Sequence, residues 1–307
     1  MVEKTIEKNL SSILSNDYVL EVNSGTAGII ISLMLPENNR DEVILPSICC
    51  PSVLSAINFC NMKPIFVDME KKFFNMDINS IKNSINKNTR AIIGVHSYGI
   101  GLNVKEIKNL CDENNILFIE DCCLSIGGKI NHKPIGTYGD VSIFSFGYDK
   151  IISSAGGGVA FKNEEDFNRA KKLIEKNDIL KCPAYKNEEI QIGFDNLEEN
   201  IINRNNVAKI YSEKISDSIT IKPEYRETDV YWRYPLLFKK DRNELINKAT
   251  ERNLIITYHY PSLANFQYGN DLVVSDDFNN SVINLFVNIK TDDSYIEEVC
   301  TLINEYE

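Results

Sequence analysis

No run of apolar residues in this chain approaches the ~20 that a membrane-spanning helix requires, so a helical membrane protein is excluded. Basic residues are in deficit, 33 Lys and Arg against 44 Asp and Glu, and the net charge of -11 has the wrong sign for a nucleic-acid footprint. Only three histidines occur and they lie far apart, while the eight cysteines never adopt the paired C-x-x-C spacing of a zinc site. The continuous apolar stretch of a signal peptide is lacking as well. The first residues, MVEKTIEKNLSSILSN, carry acidic side chains and space Val2, Ile6, Leu10, Ile13 and Leu14 as a helical stripe. These deficits leave a soluble, cytoplasmic protein with free thiols, whose partner is a small molecule rather than a nucleic acid or a membrane.

What is present is a regular alternation. From residue 18 to about 161, short apolar runs (YVLEV, EVILP, PIFVDM, AIIGVH, ILFIED) alternate with helical stretches (TAGIIISLML, PSVLSAINFC, DINSIKNSI, VKEIKNLCDEN). Such alternation predicts βαβ units, and the nearly unbroken apolar character of the runs predicts strands buried on both faces. DVSIFSF and GVAFK read as two further strands joined by a Gly-rich loop. A helix is expected around 164 to 176, a surface loop in the polar stretch KNDILKCPAYKNEEIQIGFDN, and another helix at about 197 to 217. Beyond it, VYWRYPLLF, DRNELINKATERN, LIITYHY, SVINLFV and SYIEEVCTLINEY suggest a small α+β unit. The expected fold is therefore α/β, a mostly parallel central sheet with helices on both faces plus a smaller C-terminal domain. With 307 residues the division is expected to be unequal, at 1–200 and 201–307.

Three features at strand ends carry chemistry. NSGTAG (23–28) lies between a strand and a helix, where Gly25 permits a tight turn and Thr26 and Ala27 offer backbone amides to a phosphate at the positive end of the helix. In ILFIEDCCLSIGG, Glu120 and Asp121 end a buried strand, where open α/β sheets collect their ligands. FSFGYDK places Lys150 just past another strand end, with Ser145 five positions earlier able to donate to a phosphate. Taken singly, each has a plain alternative: a helix cap for the first two, a solvated surface charge for the lysine. His96, His259, Tyr260 and Trp232 read either as packing or as walls of the same site.

Together, SGTA, Pro64-Ile65-Phe66-Val67-Asp68, VHSYG, EDCC, the GxxGD at 136–140 and FSFxxxK resemble the DegT-type sugar aminotransferases, as do DEVILPS, GGGVAF and HYP at 259–261. The resemblance spans nearly the whole chain and rests on motifs in the right order. It implies the pyridoxal-phosphate (PLP)-dependent transferase fold of type I and a homodimer with its sites at the subunit interface. It also implies a ping-pong transfer of an amino group from an amino acid, usually glutamate, to a keto sugar, typically nucleotide-linked. By motif position, Lys150 matches the Schiff-base lysine, Asp121 the partner of the pyridine nitrogen, and Ser145 and Thr26 the phosphate ligands.

The sequence departs from the family pattern at several of its functional positions. Leu124 stands where a Gln usually bonds the phenolic oxygen of the cofactor, and Cys50 where an aromatic residue stacks on its ring. The partner-subunit loop, usually Gly-x-Asn-x-Arg, reads Gly193-Phe194-Asp195-Asn196-Leu197 and loses its bidentate anion ligand. The chain begins almost at the first helix, and the small domain is short. Two other readings follow: a PLP enzyme of another reaction type on the same fold, or a degenerate homologue that binds a sugar nucleotide or a partner without catalysis.

Overall fold

The computed structural model describes residues 4–185, 187–264, 272–288 and 292–307. The first helix, α1 (Thr5–Leu14), sets Ile6, Leu10 and Leu14 on one buried face, as their spacing of four dictates. Then come β1 (Val19–Val22), α2 (Gly25–Met34), β2 (Glu42–Pro46), α3 (Pro51–Phe59), β3 (Lys63–Val67) and the short pair β4 (Met69–Glu70) and β5 (Asn75–Met76). They lead into α4 (Ile78–Ser84), β6 (Thr89–Val95), α5 (Val104–Asn114), β7 (Leu117–Asp121), the small hairpin β8 (Lys129–Ile130) and β9 (Lys133–Pro134), β10 (Val141–Ser145) and β11 (Gly157–Phe161). Local chemistry sets the helix ends. Asn103 and Asn163 cap α5 and the next helix, α6 (Glu164–Lys176), and α5 stops at Asn115 in the left-handed region.

The large sheet has seven strands in the order β1-β11-β10-β7-β6-β2-β3. Pairing is parallel from β10 through β7, β6 and β2 to β3, and only β11 runs the other way, antiparallel to both of its neighbours. Every residue of β6 is buried, as the unbroken apolar run requires of a strand covered on both faces. Register aligns the functional ends: Val22 and Ser145 both pair with Gly157, and Asp121 pairs with Ile143 two positions before Ser145. The turn after β1, the end of β7 and the turn after β10 thus share one edge of the sheet. Gly158 of β11 lies flush against α1, since a Cβ there would run into Leu10 Cδ1.

The chain continues through α7 (Asn187–Asp195) and α8 (Leu197–Lys214) into a four-stranded antiparallel sheet, ordered β12-β13-β15-β14. It is built from β12 (Thr220–Ile221), β13 (Tyr234–Phe238), β14 (Ile256–Thr257) and β15 (Val282–Leu285), with α9 (Arg242–Glu251), α10 (Val273–Ser281) and α11 (Asp293–Asn304) around it. The expected division at 200/201 falls within α8. One continuous core joins Ile6 and Leu10 of α1 to Leu236, Ile283 and Ile303 of the C-terminal part.

One expectation fails here. The polar stretch 176–196 contains a 3-10 turn, Asp178–Leu180, and helix α7, whose Ile190 and Phe194 are buried against the core. Phe194 packs on Phe146 with centroids 5.4 Å apart. Two apolar side chains four apart suffice to dock a helix whose other faces are charged. Helix α8 ends three residues earlier than expected because Ile215 is extended.

Candidate active site

Ser24 caps α2: its side chain accepts the Ala27 amide at 3.2 Å, and its carbonyl accepts that of Gly28. The expectation that Ala27 offers a free amide is therefore corrected. Its N–H is taken by the cap and its side chain is buried in the core, whereas Gly25 and Thr26 line the cleft. A side chain at position 25 has no room: an added Cβ would meet Cys123 Sγ at 2.6 Å and Ser145 Cβ at 3.3 Å.

That helix end forms one wall of a cleft of about 440 Å³. Gly25, Thr26, Cys50, Asp121, Ser145 and Lys150 all line it, joined by Leu124 and by Trp232, His259 and Tyr260 from the C-terminal part. Six of the seven residues singled out from the sequence thus meet on one cavity, and Ala27 stands behind it. A larger hollow of about 630 Å³ lies between α1 and α8, lined by Ile13, Leu197 and Ile201, away from these groups.

Glu120 and Asp121 divide their roles. The Glu120 carboxylate, fully buried, accepts the amides of Gly136 (2.8 Å), Tyr138 (2.9 Å) and Gly139 (2.8 Å) and the His96 ring at 3.1 Å. Leu102 donates its amide to His96 Nδ1 at 3.2 Å, so the ring proton sits on Nε2 and points at Glu120. Burial alone would raise the Glu120 carboxyl, but the His96 bond and the amides outweigh it and hold the group below the usual range. His96, Glu120 and Cys122 are close enough to surround an ion, yet both His96 nitrogens and both Glu120 oxygens are already engaged. His96 is thus a satisfied core histidine and not part of the cleft. Asp121, by contrast, spends one oxygen on the Cys123 amide (3.0 Å), which orients its carboxylate at the cleft wall.

Burial, and after it the Asp121 charge, pushes the thiols of Cys49 and Cys123 well up, so both stay protonated near neutrality. Burial first, then Arg233, pushes His259 down toward its neutral form, and Tyr98 donates its hydroxyl to the His259 carbonyl at 2.8 Å. Trp232 and Tyr260 stack nearly parallel, 10° apart at 6.2 Å. Sequence reasoning missed the contribution of Arg233, which bonds the carboxylate of Asp149 beside Lys150 at 2.8 and 3.0 Å. The partners lie 84 residues apart, and no local pattern links them.

Where the family carries a glutamine, Leu124 lines the cleft without a donor; Leu197, in place of the loop arginine, is buried against Gly127. Asp195 receives a bond from Gln191 at 2.7 Å within α7.

Comparison with known proteins bears on this arrangement. The chain is 32% identical over 188 residues to a GDP-perosamine synthase of Vibrio cholerae, a match covering 61% of this chain and 48% of that protein. To a GDP-perosamine synthase of Escherichia coli O157:H7 it is 28% identical over 253 residues, 76% of this chain and 70% of that one. The chain thus spans about half the length of the first relative and about two thirds of the second. The solved structure of ntda from Bacillus subtilis with bound cofactor PMP superposes with a TM-score of 0.83 at 24% identity, over 98% of this chain and 77% of that one, a likeness of fold. The profile of the DegT/DnrJ/EryC1/StrS aminotransferase family matches residues 2–304, and the chain belongs to that family.

Proposed function

We propose that the chain is a PLP-dependent aminotransferase that moves an amino group from an amino acid, glutamate first among the candidates, to a keto sugar carried on a nucleotide. It works as a cytoplasmic homodimer, the assembly that the sequence resemblance implies. The observation that carries the reading is the shared cleft of Lys150, Asp121, Ser145, Gly25 and Thr26 at the carboxyl edge of a parallel sheet. The names of the GDP-perosamine synthase relatives support a nucleotide-linked substrate.

The residues fit the cofactor. A glycine with no room for a Cβ stands at the helix end, a serine side chain stands beside it, and an aspartate and a lysine line the same cavity. When bound, PLP supplies an aldehyde for imine formation and an electron-accepting ring. Lys150 Nζ would be the amine that holds the cofactor, and the same amine would take up and return the proton of the donor's α-carbon. The Asp121 carboxylate, oriented by the Cys123 amide, keeps a proton on the ring nitrogen. Gly25 and Thr26 with the Ser145 hydroxyl would hold the phosphate at the positive end of α2. Trp232, Tyr260 and His259 line the cleft from the C-terminal part of the chain.

Addition of PLP to the purified protein should produce a visible absorption band that Lys150→Ala lacks, and glutamate should bleach it. A band that no amino donor changes would favour a second reading, a non-catalytic binder of sugar nucleotides. The donor-less Leu124 and the buried Leu197 speak for that reading.

A further inference from the structure

The turn that carries Lys150 is held on its far side by buried Ile151 and Ile152 and by the Ser153 hydroxyl on the Gly147 carbonyl, but its tip, Tyr148–Lys150, has little anchorage of its own. Tyr148 is 94% exposed, Asp149 takes the left-handed backbone region (φ 61°), and Lys150 closes the turn through a 3.3 Å bond from its amide to the Gly147 carbonyl. A reactive amine has to be held within about half an ångström of its working position, which an exposed turn alone does not achieve. The anchor comes from the C-terminal part of the chain. Trp232 donates its indole N–H to the Asp149 carbonyl at 2.5 Å, and Arg233 Nη2 bonds both carboxylate oxygens of Asp149 at 3.0 and 2.8 Å.

Arg233 is itself immobilised. Its guanidinium lies 3.8 Å from the Phe286 ring centroid and 4.5 Å from that of Trp232, and its Nη1 donates to the Trp232 carbonyl at 3.0 Å. Below it, buried Arg204 donates to the carbonyls of Tyr231 and Trp232, fixing the same segment from the other side. Backbone and side chain of Asp149 are thus gripped by two consecutive residues, next to the lysine in sequence.

We propose that Arg233 is a positioning residue for Lys150, acting through the carboxylate of Asp149 to set the amine at the aldehyde carbon of the cofactor. The inference rests on the cofactor reading above. Its distinguishing consequence is selectivity: loss of the clamp harms the ligand that must bond Lys150 and spares the one that need not. PLP is the first kind. Pyridoxamine 5′-phosphate, which has an amine in place of the aldehyde, is the second.

Trp232 is the only tryptophan in the sequence and lines the cleft, so its fluorescence reports binding of either compound directly, without turnover. Asp149→Asn and Arg233→Met should each weaken PLP binding by roughly tenfold or more, while pyridoxamine 5′-phosphate affinity stays within about threefold of wild type. Arg233→Lys, which keeps the charge but loses the planar fork, should recover part of the difference. In a Lys150→Ala background, Asp149→Asn should change neither affinity further. Equal weakening of both ligands, or of neither, in the single variants overturns the positioning role. If wild type binds neither compound, the cofactor reading itself fails, and the inference with it.

Discussion

Glu120 and Asp121 are consecutive residues at the end of β7, and the pleat of the strand gives them opposite surroundings. Glu120 is fully buried with three backbone amides and a histidine around it, while Asp121 has one backbone amide and the wall of the cleft. The sheet therefore uses one carboxylate to fasten the loop after β9 and leaves the other for a ligand. Two carboxylates that look equivalent in the sequence call for opposite experimental signatures.

Asp121→Asn should leave the fold intact, because the amide oxygen still accepts the Cys123 N–H. A neutral amide cannot keep the ring nitrogen protonated, and turnover with glutamate should fall by roughly 10²-fold or more, about 2.7 kcal/mol of barrier. Steady-state kinetics with an unchanged melting curve checks this. Activity within a few-fold of wild type means that the ring lies elsewhere.

Glu120→Gln should do the reverse and act on stability. One Glu120 oxygen accepts His96 and Gly136, the other Tyr138 and Gly139, so either orientation of a glutamine turns its NH2 toward two donors. The cost should be about 3 kcal/mol, read from the midpoint of urea unfolding. The pH dependence has a definite sign. Because the folded carboxyl lies below its ordinary value of 4.5, its contribution is complete above pH 4.5 and is lost as pH falls through the folded value. The gap between wild type and variant should accordingly shrink in acid; a gap that widens there contradicts the burial of an ionised Glu120.

The features legible from the sequence share one property, that their signals are local. Strand, turn and helix from Val19 to Met34, the mostly parallel pairing of the buried strands, and Asp121, Ser145 and Lys150 at or just past strand ends all follow from runs of a few residues whose pairing the βαβ rule dictates. What escaped is non-local or hidden by composition. His96 meets Glu120 24 residues away, and Arg233 meets Asp149 84 away; nothing near either residue announces its partner. Helix α7 was concealed because only Ile190 and Phe194 of its nine residues are buried among acids and amides. Ala27 was misread since Ser24 can cap its amide as readily as leave it to a ligand, and a sequence does not say which.

Asp68, the last residue of the Pro64–Asp68 motif, has a structural use. Its carboxylate accepts the amides of Val274 (3.1 Å) and Ser275 (2.7 Å) and the Ser275 hydroxyl (2.5 Å), capping α10 from across the chain. α10 in turn seats Phe278 edge-on against Phe74, 4.8 Å between centroids. Asp68→Ala should cost about 1–2 kcal/mol of unfolding free energy, and Asp68→Asn, which keeps one acceptor, less. A midpoint for Asp68→Ala equal to wild type would remove this residue from the account of how the C-terminal part is held.

Gly25 offers the sharpest test of where the phosphate sits. Its Cβ position lies 2.6 Å from Cys123 Sγ and 3.3 Å from Ser145 Cβ, so an alanine there presses on the residue whose amide bonds Asp121 and on the serine proposed to bind the phosphate. Position 25 has no left-handed backbone requirement, since its glycine begins α2, so the effect of Gly25→Ala is steric and confined to the cleft. PLP affinity should fall by roughly tenfold or more, about 1.4 kcal/mol, and thermal stability should fall as well, by about 1–3 kcal/mol, because Cys123 must shift to admit the methyl group. Adding Cys123→Ala removes the 2.6 Å contact but leaves the milder one with Ser145, so the double variant should regain part of the lost affinity and not all of it. Strict additivity of the two substitutions in a titration would show that Gly25 and Cys123 do not meet at the bound phosphate.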